Sequence, residues 1–162
     1  MPNLFNLLYR VGAEEVTRLH QRGAMGIPLI LAEPDSRIVA MMYTVLRANN
    51  FDITGTPTLQ DAGVAIASAP HALLVLRLDW PPPANALDFL RWLGQQSGHL
   101  PPAILCYSHS AEMHWRIAAL QNRADDFLVL STVTPDAFVL RLQLLHTLSQ
   151  TPSWRQSLPD GG

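Results

Sequence analysis

The side chains able to do chemistry gather at a few places in this sequence. Glu33 and Asp35 flank Pro34 after one apolar run, Arg77 and Asp79 close a second, and Ser108, His109 and Ser110 close a third. Carboxylates at such places suit a hard, oxygen-ligated cation or a nucleophile toward a phosphoryl group. Glu33, Asp35 and Asp79 would make an acidic trio for a divalent cation. A carboxylate displaced by one or two positions along a strand is aimed at a different place, however, so a loop aspartate at a strand end is the expected role of Asp79. Ser108-His109-Ser110 sets a hydroxyl beside an imidazole. Sequence neighbours rarely hold nucleophile and base in register, so a loop end with Ser110 capping a helix is expected. Cys106, His109 and His114 match no common zinc spacing, and no metal or other cofactor is expected. All eleven basic residues are Arg, with no Lys anywhere. A guanidinium keeps its charge and cannot act as a nucleophile.

These residues need elements to hold them. The central one is Ala72-Leu-Leu-Val-Leu-Arg77-Leu-Asp-Trp-Pro81-Pro-Pro. Its unbroken apolar run predicts a strand covered on both faces, ended by prolines that cannot extend a ladder. Pro28–Ala32, Phe51–Gly55, Pro102–Tyr107 and Asp126–Leu130 read as four more strands. Helical spacing is expected after Asp35 with an end at Asn49-Asn50, then over 59–69, 86–96, from Ser110 to about Asn122, and from Thr134 to about Gln150. Strands alternating with helices predict a three-layer α/β sandwich around five parallel strands. Residues 1–26 read as a helical extension, 27–150 as the domain, and 151–162 as a flexible tail.

Composition narrows the function. A chain of 162 residues fits one domain with a full core, and a formal net charge of −2 gives no electrostatic case for nucleic acid. A single cysteine fits a reducing compartment. No apolar run reaches membrane-span length and no leader pattern opens the chain, so a cytoplasmic protein is expected. No Gly-rich phosphate loop follows the first strand, which leaves a small nucleotide-binding enzyme unsupported.

Four segments resemble the receiver domain of bacterial response regulators. Glu33-Pro-Asp-Ser-Arg37 is similar to the acidic-Pro-x-x-Arg segment after the first strand. Leu73 to Pro81 resembles the third strand and its proline, and Pro102 to Ser108 the fourth strand. Arg123-Ala-Asp-Asp-Phe-Leu-Val-Leu130 resembles Gly-Ala-Asp-Asp-Tyr-Leu-x-Lys. The resemblance implies a CheY-like, flavodoxin-like sheet of order 2-1-3-4-5. It also implies an aspartyl phosphoacceptor, an acidic pair for Mg²⁺, a hydroxyl and a Lys. Carried over by position, Leu31 and Ala32 fall on the acidic pair, with Glu33 one step late. Arg77 falls on the acceptor, Tyr107 on the hydroxyl with Ser108 beside it, and Leu130 on the Lys. Phe127 keeps the switch aromatic.

The expected function is therefore that of a non-enzymatic pseudo-receiver, an adaptor independent of phosphorylation, with Arg77 paired to Glu33 or Asp35. The alternative is a phosphorylatable regulator using Asp79. Only about a dozen residues follow the last helix, so a stand-alone module is expected. Phe138, Leu142 and Leu145 form a core stripe on that helix, while Leu140 and Leu144 form a second. The partner is expected to be another signalling protein or a second copy, engaged through the last two helices or the N-terminal segment. Leu140, Leu144, Trp115 and Trp80 are the candidate contacts, and the N-terminal helix is the other candidate cover for the Leu140–Leu144 stripe.

Overall fold

The computed structural model describes residues 26–96, 100–151 and 153–157. The expected N-terminal helix lies outside them. Five strands form one sheet: β1 (Ile27–Ala32), β2 (Phe51–Thr56), β3 (Leu73–Arg77), β4 (Ile104–Ser108) and β5 (Asp126–Val129). Their order is β2-β1-β3-β4-β5, and every pairing is parallel. The helices between and after them are α1 (Ser36–Arg47), α2 (Leu59–Ser68), α3 (Ala86–Gln95), α4 (Met113–Gln121) and α5 (Pro135–Ser149). The expected fold class and strand order hold.

The inner strands β1, β3 and β4 are buried on both faces because helices cover both, whereas the edge strand β2 is largely exposed. Leu29, Leu31, Leu73, Val75, Leu105 and Leu128 pack under α1 and α5. Ile30, Leu74, Leu76, Ile104, Cys106 and Phe127 pack under α2, α3 and α4. Alternation sends neighbours to opposite sides, so a continuous apolar run is the only pattern that satisfies both layers. Asp35, Thr58, Asn85 and Thr134 cap α1, α2, α3 and α5 through side-chain oxygens that accept first-turn amides. Gly26 begins the described chain pressed against the α1–β2 turn. A Cβ there would lie 2.9 Å from the Asn50 carbonyl oxygen and the Asp52 nitrogen.

The structure corrects several details. Ser110 does not cap α4: the cap position is Glu112, without a side-chain bond, and Ser110 Oγ accepts the Glu112 amide in the preceding loop. Leu130 lies just beyond β5, yet is fully buried in the α1/α5 layer. Leu87 is only half-buried on α3, and Ala86 takes the inward place with Leu90 and Leu93. The tail is not loose over 153–157. Trp154–Ser157 form a 3₁₀ turn, where Arg155 grips Asp125 at 2.8 and 3.0 Å and Trp154 Nε1 donates to the Pro102 carbonyl at 3.2 Å.

Candidate functional site

The geometry at the site follows from register. Ala32 pairs with Leu76, and Arg77 pairs with Tyr107. One step past Ala32, Glu33 therefore lines up with Arg77 and Tyr107 across the three central strands. All three continue the alternation that faces α1 and α5, so their side chains converge at the carboxyl edge of the sheet. Strand ends of this kind are where open α/β sheets build sites.

The side chains close on one another. Glu33 is fully buried, and its Oε1 accepts from Arg77 Nη1 at 2.9 Å and from the Asp35 amide at 3.0 Å. Its Oε2 accepts from the Tyr107 hydroxyl, with His109 Nε2 at 3.9 Å. Arg77, with 14% of its side chain exposed, turns Nε to Asp79 Oδ1 at 3.0 Å. Asp79 Oδ2 accepts the backbone amides of His109 at 2.9 Å and Ser110 at 3.4 Å. The Arg77 guanidinium thus joins the end of β1 to the loop after β3, and Asp79 carries the link on to the loop after β4. Fixed amides and a buried phenol complete the shell, which a buried charge requires.

The electrostatics follow from these contacts. Burial acts to lower the Arg77 pKa, but the charge of Glu33 and hydrogen bonds to Asp79 and Glu33 outweigh it, so the group is held above its ordinary value. Burial first, then the charge and hydrogen bond of Glu33, push the Tyr107 phenol well above the usual tyrosine range. Asp35 stands apart. Arg37 hydrogen-bonds its side chain and lowers its pKa, and it caps α1 without reaching Arg77.

Arg77 therefore pairs with Glu33 and Asp79, and the Asp35 carboxylate takes no part. Leu31 and Ala32, where the resemblance puts an acidic pair, are fully buried apolar residues. Ser108 is buried and donates to the Ser110 carbonyl within its own loop. Leu130 adds an apolar wall beside Tyr107. Phe127 lies in the opposite layer, with the Arg116 guanidinium 5.4 Å from its ring centre. Trp80 and Trp115, candidate contacts on sequence grounds, are half-buried against the α2–α4 layer. Leu140 and Leu144 of α5 are 65% and 57% exposed, and Met113, Ile117 and Leu120 of α4 are exposed as well.

Mg²⁺ does not fit this donor set. Both Glu33 oxygens already accept hydrogen bonds, positions 31 and 32 carry no side-chain oxygen, and a guanidinium occupies the space beside the carboxylates. Sequence reasoning missed the part of His109, whose amide anchors Asp79 and whose Nε2 is buried without a hydrogen bond. It also missed the Arg155–Asp125 clamp, because nothing in the tail's composition marks a docked arginine.

Solved structures share this architecture. A signal receiver domain of a response regulator from Bermanella marisrubri superposes with a TM-score of 0.67 at 23% identity, covering 74% of this chain and 98% of that one. This chain has the receiver fold. The BeF₃-activated N-terminal receiver domain of Klebsiella pneumoniae RstA gives 0.63 at 22% identity, with coverage of 74% and 97%. HP1043, an orphan response regulator of H. pylori, gives 0.63 at 18%, with coverage of 76% and 99%. No protein-family model and no curated protein matches the chain. Among the described residues, no helix of this receiver fold is long and apolar enough to cross a membrane.

Proposed function

We propose that this chain is a receiver-fold interaction module in bacterial signalling whose acceptor cleft is closed by its own ion pair. It would bind its partner without a phosphorylation step and without catalysing a reaction. The observation that carries this reading is the Arg77–Glu33 contact of 2.9 Å at a fully buried carboxylate. An anionic phosphoryl group would need a free carboxylate to carry it and a cation to balance it, and here both charges are already spent on each other. The partner surface is the exposed apolar face shared by α4 and α5, formed by Met113, Ile117, Leu120, Leu140 and Leu144.

Intact-mass analysis after incubation with acetyl phosphate and Mg²⁺ tests the proposal. The wild type is expected to gain no phosphoryl mass. A gain that disappears in Asp79→Asn would overturn this reading in favour of a phosphorylatable regulator using Asp79. A parallel pull-down from the source cells is expected to lose its partner on Leu140→Asp/Leu144→Asp and to keep it on Asp79→Asn.

A further inference from the structure

A second apolar feature lies on the other helical layer. Gly63, Ile66 and Ala67 of α2 face Trp92, Leu93 and Gln96 at the end of α3 across a groove of about 160 Å³. Gly63 leaves the groove open, its missing Cβ lying 3.7 and 3.8 Å from the rings of Phe89 and Trp92. Trp92 is 47% exposed at one wall. An indole left half in water beside an open apolar groove marks a surface that another element covers.

We propose that the groove is filled by this chain's own N-terminal segment, residues 1–25. Two observations select that occupant. The first is position. The groove residues lie from the middle of α2 and toward and just past the end of α3, and both helices run back toward the amino ends of the strands that follow them. The described chain starts at that same end, at Gly26 on β1, and α2 packs directly on β1. The exposed α4–α5 face instead straddles β5, three strands away in the sheet. The second is pattern. Leu4, Leu8 and Val11 stand at i, i+4 and i+7, the spacing by which an amphipathic helix anchors in an apolar groove. Fourteen residues separate Val11 from Gly26, which is ample to bridge part of one face of a small domain. The segment thus acts in cis and completes the α2–α3 layer, leaving the α4–α5 face open.

Hydrogen exchange on the full chain tests the assignment. In Leu4→Asp/Leu8→Asp, amides of 63–69 and 92–96 are expected to exchange severalfold faster than in wild type, while α4 and α5 keep their rates. Unchanged rates at α2 and α3, or acceleration at α4 and α5 instead, would overturn it. Cysteine pairs then separate one chain from two. Cys106 is buried and its thiol pKa is pushed up by burial, so introduced thiols are the reactive ones. Leu8→Cys/Val64→Cys is expected to oxidise to a link within one chain. A link found only between two chains, or formed more readily by Leu8→Cys/Leu144→Cys, counts against docking in cis. None of these outcomes depends on whether the cleft accepts phosphate.

Discussion

Removing the Arg77 guanidinium leaves Glu33 buried with a phenol, one amide and no counter-charge. Breaking such a pair from one side costs about 3 kcal/mol or more, whereas replacing both partners by groups of similar shape is often near neutral. Arg77→Met is therefore expected to lower urea-unfolding stability by about 3 kcal/mol, a large part of a domain's usual margin. Arg77→Met/Glu33→Gln should recover most of that loss. Equal losses in the single and double variants would show that the pair is not what stabilises the edge. Tyr107 gives a second handle. Its folded-state pKa is raised, so its contribution is complete below the unfolded value near 10 and is lost as pH climbs toward the folded value. Wild-type stability should thus fall above about pH 10 more steeply than that of Tyr107→Phe. Parallel alkaline slopes in melts of the two proteins would contradict this. The Glu33–Arg77 contact was legible from sequence because charge types alone require a cation among carboxylates at a strand edge to find one of them. Which carboxylate it finds is not set by alternation, since positions 33 and 35 share parity; Asp35 is taken out of reach by capping α1 and bonding Arg37.

Among the elements, the turn between α4 and β5 shows what the resemblance could and could not supply. Arg123 has φ 70° where the receiver pattern carries Gly, and a left-handed backbone costs an L-residue of this kind about 1 kcal/mol. Arg123→Gly relieves that cost and gives back part of it through the freer unfolded chain. A net gain of about 0.5 kcal/mol in urea midpoint stability is expected, and a loss would mean that Arg123 packing on Gly94 matters more. Strands and helices were readable because their apolar periods differ. The start of α4 was not, since Ser110 and Glu112 are both plausible caps and the choice is made by the loop that Asp79 holds. Trp80 and Trp115 were likewise ambiguous, because large rings serve core and interface equally well and only packing distinguishes the two.

Over the whole molecule, the two ends of the described chain are treated differently. The carboxyl end is clamped to the amino edge of the sheet through Asp125, which also accepts the Ile104 amide at 2.7 Å and so ties β4 and the tail to one carboxylate. Arg155→Ala should cost about 1 kcal/mol, since the lost bonds are charge-assisted but partly open to water. It should also red-shift the emission of Trp154 as the ring leaves its place beside Pro102. An unchanged spectrum would mean that the ring holds the turn without the clamp.

The shared use of Glu33 by Arg77, Tyr107 and the Asp35 amide has a consequence for placing the receiver pattern's aspartate at position 77. Exchanging Arg77 for aspartate alone would set a new anion between Glu33 and Asp79 and strip both of their counter-charge. Tyr107 would still direct its hydroxyl to Glu33, and Leu130 would still offer no amine. Each part is locked by the others, so a redesign has to change at least positions 77, 107 and 130 together, and intermediates that change one at a time would be less stable than either endpoint.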